Sequence, residues 1–574
     1  MEKNRPHPWR HCYPVAAILL ATLAVYFNAL YNGFVHDDLI QVLDNPWIKS
    51  MRFIREILGS DVWGYYGHVS TNYYRPVMHL TYMAEYRIFG QAAWGFHLVN
   101  VVMHAGAAVL VYFIGNNILG GRGGRPGSVY LSPPLVAAIL FAVHPIHTEA
   151  VTWIAGVPEL TYTLFFLLSL YLYITASGGI GLRIFASAFF FFAALLSKEP
   201  AMALPTVIIA YDYSSGALQG NRLNAALKRY LPYAAAIAVY LAMRLNALGG
   251  MAPVKWKTDV TPYQDVINSV PLFTEYLKKL LFPFNLNLFQ QYSPVISITD
   301  PKFMVAIFIA TVFMLAAWLA VRKEKLLLVP VAMMVVPMLP VLVFSMVGRN
   351  GFGERYLYLP SAGFLLTTSY FISRSVAGLR NGRALLAACV AVMALSFTVW
   401  TVERNADWKD EYTILTDSLR RTDNIIARIG YGDCLIKKGM TDAAVSYIAG
   451  IVKDYPESFE AHYSMGKALS LEGNQGRAIA EYLRALSLNP SSAEARSALG
   501  LAYGRQGRLD DSISQLELAV RMNPYLEQAH LNLGVAYGMK GRKAEAREQF
   551  KKALSLNPED KLARDNLEYA RSVK

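Results

Sequence analysis

Cysteine is nearly absent from this chain: Cys12, Cys389 and Cys434 are all it has in 574 residues. Three scattered thiols exclude a disulfide framework and a metal knuckle, which leaves packing as their reading. Charge is scarce too, at 17% of residues, against a hydrophobic share of 54% and a mean hydropathy of +0.28. An ordinary soluble chain of this length is less apolar. The net charge of +13 is unevenly placed, because residues 403–574 hold 25 Lys+Arg and 24 Asp+Glu and so contribute little to it. The excess lies earlier, in short loops between apolar stretches, where basic residues set membrane orientation. No nucleic-acid partner is expected. A small-x-small cleavage site is also missing after the first apolar stretch, which therefore reads as an uncleaved helix.

Roughly 20 apolar residues cross a bilayer core. Stretches of this kind fall near 15–33, 97–118, 132–146, 157–176, 182–197, 200–213, 230–247, 303–321, 326–347, 358–373 and 384–402, about 11 spans. With a cytoplasmic N-terminus, the inner loops hold Arg122 and Arg125; Arg183; Arg222, Lys228 and Arg229; Arg322, Lys323 and Lys325; and Arg374, Arg380 and Arg383. All five are basic, as the positive-inside rule requires. The odd count then places everything after residue 402 outside: in the periplasm if this is a bacterial inner-membrane protein, in the lumen of a eukaryote. Two outer loops, 35–96 and 249–300, are long. The second contains Tyr276-Leu-Lys-Lys-Leu-Leu-Phe, which fits an interfacial amphipathic helix or a helix capping the bundle.

Beyond residue 424 a pattern repeats every 34 residues: Pro456, Pro490, Pro524 and Pro558; Gly432, Gly466, Gly500 and Gly534; Gly439, Gly473, Gly507 and Gly541. That period, with small residues at fixed offsets, marks the tetratricopeptide (TPR) helix-turn-helix. Repeats are expected at 425–458, 459–492, 493–526 and 527–560, with a capping helix from Lys561. Ala478, Ser512 and Ala546 sit at one close helix contact, and Ala485, Ala519 and Ala553 at the next. Three or more such units make a stable stack, whose concave face binds extended peptide or acts as a scaffold. Lys467, Arg505 and Asn532 are the candidate peptide contacts. The domain plan is 1–402 membrane bundle, 403–424 linker helix and 425–574 TPR array, all-α throughout.

Chemistry-bearing residues cluster at outer helix ends. Asp37 and Asp38 follow the first span, where two adjacent carboxylates are costly unless solvated or used. One of them suits a general base, and its charge would steady a cationic sugar-like transition state. His144-Pro-Ile-His-Thr-Glu149 offers two histidines and a carboxylate. A divalent metal is left open there, but Pro145 breaks the helix and the spacing matches no zinc signature, so hydrogen bonding to phosphate or hydroxyl is preferred. Arg75 beside Tyr73, Tyr74 and His79 suits phosphate. Lys198 and Glu199 form an ion pair or a second phosphate contact, and Arg355 at an outer edge points to a specific anion.

The stretches Phe34-Val-His-Asp-Asp-Leu, Tyr74-Arg-Pro-Val-Met-His-Leu-Thr-Tyr, Gly95-Phe-His-Leu-Val-Asn-Val-Val-Met-His104, His144-Pro-Ile-His-Thr-Glu-Ala-Val151, Ser197-Lys-Glu-Pro200 and Glu354-Arg-Tyr-Leu-Tyr-Leu-Pro-Ser361 occur in one order ahead of the repeats. In this the chain resembles the transmembrane and TPR-containing O-mannosyltransferases of the GT-C class. The resemblance implies a GT-C-type helical bundle and inverting sugar transfer from a polyprenyl-phosphate donor to an outer-side hydroxyl. It implies no nucleotide-sugar site and no required cofactor, and it makes Asp37 and Asp38 catalytic. One departure is Gly156-Val-Pro-Glu159, where the family has Gly-Arg before an acidic residue. Mannose is therefore an expectation, and another polyprenyl-linked sugar stays open. The expected partners are membrane lipid, the lipid-linked donor, and a protein acceptor or partner at the TPR array. The alternative is a non-catalytic TPR scaffold for envelope or pilus assembly, which has no need of carboxylates at the membrane edge.

Overall fold

The computed structural model describes residues 11–66, 71–119, 132–176, 181–218, 223–254, 261–290, 292–343, 352–376 and 379–572. Arg122, Arg125 and Arg222 of the basic loops lie outside them. Every regular element among the described residues is a helix. Among the described residues, seven helices are long and apolar enough to cross a membrane: Cys12–Tyr31, Ala93–Leu119, Ile154–Ile174, Leu227–Leu248, Pro301–Lys323, Lys325–Leu342 and Gly382–Asp407. An eighth is possible where Pro133–Val143 meets Pro145–Val151 at a 51° bend. Eleven were expected, and the others fall short of that length or hydropathy. Leu182–Ser197 and Leu204–Ser215, with 16 and 12 residues, are shorter than a bilayer core, and Tyr358–Val376 does not reach the same standard of length and hydropathy.

Contacts divide the chain into two units, Met1–Leu39 with Tyr74–Asp410, and Ile40–Tyr73 with Glu411–Lys574. This differs from a linear plan with a linker helix at 403–424. The last apolar helix continues to Asp407, the chain breaks at Trp408, and Glu411–Arg421 starts the second unit. Residues 40–73, which read as an outer loop of the membrane part, pack with the repeats instead.

In the first unit, buried Asn405 ties three elements together. Its side chain donates to the Val25 carbonyl at 3.0 Å and accepts from the Thr152 hydroxyl at 2.7 Å, while its own carbonyl accepts from Asn32 at 2.9 Å. In an apolar medium each such bond replaces one that water would otherwise make. The helix Pro262–Leu281 opens with a Thr261–Gln264 capping box and buries Leu272, Tyr276 and Leu280 beside Met334, Met338 and Phe352. Buried Lys279 donates to the carbonyls of Phe284 and Asn285, so one face of this helix packs on the bundle.

In the second unit the repeats are paired helices, Ile425–Lys437 with Thr441–Asp454 through Glu527–Met539 with Lys543–Leu556, closed by Lys561–Ser572. The glycine period has a steric cause. A Cβ on Gly466, Gly500 or Gly534 would stand 2.5–2.7 Å from Tyr482, Leu516 or Phe550, the large residue of the facing helix. Gly439, Gly473, Gly507 and Gly541 turn between helices at φ of +72° to +93°, a region that favours glycine.

Candidate functional site

The turn after the first span brings Asp37 and Asp38 to different environments. Asp38 is fully buried and accepts from the backbone N–H of Val35 at 2.9 Å and of Ala155 at 2.7 Å. Burial raises its pKa well above the ordinary value, against the pull of those two N–H groups. It fixes the turn to the 154–156 segment. Asp37 remains partly exposed, with a side-chain exposure of 33%, and lies 3.5 Å from His36. His36 has φ of +52°, a costly conformation for a residue with a Cβ, and its ring rests against Phe289 and Trp153. Gly156 completes this support, because a Cβ there would meet the Ala150 carbonyl at 2.2 Å.

Arg355, 5.5 Å from the Trp153 ring centroid, belongs to a network of charges. Arg355 donates from its side chain and its backbone N–H to Glu149, and its Nε is 3.3 Å from Glu159. Lys198 is bound to the same Glu159 carboxylate. Glu199 accepts from Arg75 at 2.9 and 3.2 Å and from Arg244 at 3.4 Å. Burial opposes ionisation of Glu199, but Arg75 and Arg244 outweigh it and hold its pKa below the usual carboxylate value. Burial lowers Lys198 to about 8, with Glu159 opposing and Arg75 and Arg355 reinforcing the shift. The structure therefore brings Arg75, Lys198 and Arg355 into one electrostatic neighbourhood. Beside it, buried Glu354 accepts from Asn287 N–H at 2.7 Å, and burial lifts its pKa to about 7.

The carboxylates Glu149 and Glu199, grouped with the phosphate candidates, face cations: Glu199 is ion-paired as one reading expected, but with Arg75 rather than Lys198. Each positions an arginine. His147 is also diverted: Nδ1 lies 2.9 Å from the Phe141 carbonyl and Nε2 lies 2.7 Å from Ser361 Oγ. His144 Nδ1 accepts from Ile146 N–H at 3.2 Å inside the same break. Both histidines are buried, and His79 is buried on Pro76–Phe89. No group of three or more His, Cys, Asp or Glu suited to a metal occurs among the described residues. Sequence reasoning missed Glu159 as the shared partner of Lys198 and Arg355. It also missed Arg244, His36 and Trp153.

In the array, the three candidate peptide contacts pair with neighbouring repeats. Lys467 binds Asp433 at 2.8 Å, Arg505 donates to Ser470 Oγ at 3.0 Å, and Asn532 lies 3.5 Å from Ser497. Partners 34 or 35 residues apart are what the repeat period brings side by side. All three thus stitch adjacent repeats together.

Family models described as "TPR repeat" and "Tetratricopeptide repeat" match residues 466–507, and 427–458 with 497–561. The chain is 25% identical over 514 residues to Protein O-mannosyl-transferase TMTC3 of Mus musculus, covering 83% of this chain and 54% of that one. It is 24% identical over 557 residues to Protein O-mannosyl-transferase Tmtc3 of Drosophila melanogaster, covering 84% and 59%. The chain thus spans a little over half the length of these curated relatives. Among solved structures, the MamA protein is 28% identical with a TM-score of 0.23, over 26% of this chain and 81% of that one. The chain carries tetratricopeptide repeats and, across most of its length, resembles the TMTC protein O-mannosyl-transferases.

Proposed function

We propose that this protein is a multi-pass membrane glycosyltransferase that moves a sugar, mannose by its relatives' names, from a polyprenyl-phosphate donor to a protein hydroxyl. One observation carries the reading: His36, adjoining Asp37, and Arg355, at the head of the cation network, both lie within 6.0 Å of the Trp153 ring. A carboxylate neighbour and a set of cations gathered about one indole match the two ends of a glycosyl transfer. Asp37 takes the acceptor hydroxyl proton as the oxygen attacks the anomeric carbon. The bond from that carbon to the phosphate oxygen breaks on the opposite face, and its electron pair leaves with the polyprenyl phosphate. Arg75, Lys198 and Arg355 steady the departing charge. Attack opposite the leaving group inverts the anomeric centre. Asp38 holds Asp37 in place through the backbone, while Glu149, Glu159 and Glu199 hold the cations.

The basic loops orient the reaction to the outer side, in the periplasm of a bacterial inner-membrane protein, with the TPR array there to receive acceptor or partner protein. The test is transfer from polyprenyl-phosphate-mannose to acceptor protein in membranes. Asp37→Asn, which removes charge but little volume, is expected to lower the rate on the order of 10²–10⁴-fold at unchanged membrane insertion. Wild-type rates in Asp37→Asn, Asp38→Asn and the double variant would overturn the mechanism.

A further inference from the structure

Residues 40–73 form a small module with a closed neck. Tyr65 donates to the Ile40 carbonyl at 3.2 Å, and Val62 N–H donates to the Tyr73 carbonyl at 3.0 Å. Asp61 accepts from Thr71 N–H at 2.6 Å and from Trp63 N–H at 2.9 Å. Inside, Trp47, Ile48, Phe53, Ile57 and Tyr65 are buried. Part of this burial comes from the repeats. The rings of Trp47 and Phe53 meet Tyr525 edge-on at 5.8 and 6.0 Å, and Arg52 donates to the Ser555 carbonyl at 2.5 Å. Charges are matched as well: Lys49 faces Glu527 and Glu559, and Asp44 faces Lys437. These array residues come from the first repeat, from the start of the fourth, and from the last turn of its second helix and the turn after it. The contact thus extends along the stack.

The covalent ends of the module give the docking its meaning. Its neck leads in one direction to Asp37 and Asp38, and in the other to Arg75. We infer that the array's built-in ligand is the chain's own 40–73 module, and that this docking restrains the two segments carrying the base and a donor-side arginine. Tyr525, Ser555, Glu527 and Lys437 are then positioning residues, acting through the module and not on substrate. The catalytic half of this inference rests on the glycosyltransferase reading. The docking half does not.

The test uses the full chain in lipid nanodiscs, with Tyr525→Ala and, as a conservative control, Tyr525→Phe. Tyr525 is only half-buried, so its truncation leaves the repeat cores intact. Trypsin cutting after Lys49, Arg52 and Arg55 reports module release, and persistence of the 411–574 fragment reports an intact array. We expect Tyr525→Ala to speed cleavage at those three sites about tenfold, to lower kcat about tenfold through the base and to raise donor KM through Arg75, because a misplacement of about 1 Å can cost up to about 10²-fold. Tyr525→Phe, and its ring stacking, should restore all three. Arg52→Gln, which changes an exposed side chain and cannot unfold the array, should speed cleavage at Lys49 and Arg55 to a smaller extent. Unchanged cleavage in both Tyr525→Ala and Arg52→Gln would overturn the docking, and faster cleavage at unchanged kcat would overturn the positioning role. A wild-type protein that transfers no sugar would fail the glycosyltransferase reading, and the trypsin result alone would then decide the docking.

Discussion

The membrane unit and the repeat array both carry ion pairs, but they treat them differently. At the candidate site, Lys198 and Glu159 are 5% and 3% exposed, and Arg355 bridges Glu159 to buried Glu149. On the array, Arg484 and Glu457 pair at 44% and 74% exposure, and Lys540 and Asp510 at 39% and 85%. Buried charges are expensive to desolvate and are kept only in fixed company. Exposed pairs are screened by water and salt and are worth little. A cluster of costly charges at the outer helix ends therefore signals use, whereas the array's charges signal a solvated surface. The array stores its specificity in shape, in the glycine that admits a large neighbour once per repeat.

This comparison can be broken or sharpened by four further measurements. Glu159→Gln removes the shared partner of Lys198 and Arg355 and deprives buried Lys198 of its paired carboxylate, while Arg355 keeps Glu149. It should destabilise the membrane unit by about 3–5 kcal/mol in thermal unfolding in detergent. A loss below about 1 kcal/mol would place this pair with the exposed ones. Gly500→Ala gains about 0.5–1 kcal/mol of helix propensity but drives a methyl to within 2.7 Å of Leu516 and 3.2 Å of the Ser512 carbonyl. Overpacking costs about 1–3 kcal/mol, so a net loss of about 1–2 kcal/mol is expected from chemical denaturation of the array. A stabilised variant would show that shape is not the constraint.

The third measurement is a pH profile. Lys198, lowered by burial to about 8, is charged below that pH and loses its charge as pH rises through it. Donor KM should rise roughly tenfold across that step, the weight of one charged hydrogen bond. Lys198→Arg should flatten the profile, since arginine keeps its proton throughout. A Lys198→Arg profile identical to that of the wild type would assign the step to another group. Smallest of all, Arg484→Ala should change array stability by less than about 1 kcal/mol.

Much of the array was legible because its contacts are local and periodic. A residue's neighbours lie 34 positions away, so proline, glycine and alanine recur in register. The site was legible only in part. Arg75, Lys198 and Arg355 stood out singly, as cations on the side of the membrane that disfavours them. Glu159 did not, because its partners are 39 and 196 residues away and nothing in its own stretch announces them. His144 and His147 misled in the opposite direction. Their local spacing resembles a ligand pair, while the atom that occupies His147 Nε2 comes from Ser361, far along the chain. Among the described residues fewer helices than eleven are long and apolar enough to cross, for a related reason. Helices such as Leu204–Ser215, with 12 residues, are apolar because they are packed in the bundle, and hydropathy does not separate that from crossing. The 40–73 module reads as an outer loop, and its packing against the repeats depends on aromatic contacts across hundreds of residues.

The break at His144 bears on how the protein is made. Bending the helix there exposes three consecutive carbonyls, and each is met by a side chain: Phe141 by His147 at 2.9 Å, Ala142 by His104 at 3.1 Å and Val143 by Thr401 at 2.8 Å. His104 emerges before the break and His147 just after it, but Thr401 is synthesised 258 residues later. Until the Gly382–Asp407 helix inserts, the Val143 carbonyl must keep water or a substitute donor beside it, since lipid offers none. The kink is thus a late-closing joint, and the order of insertion makes the final helix the one that seals it.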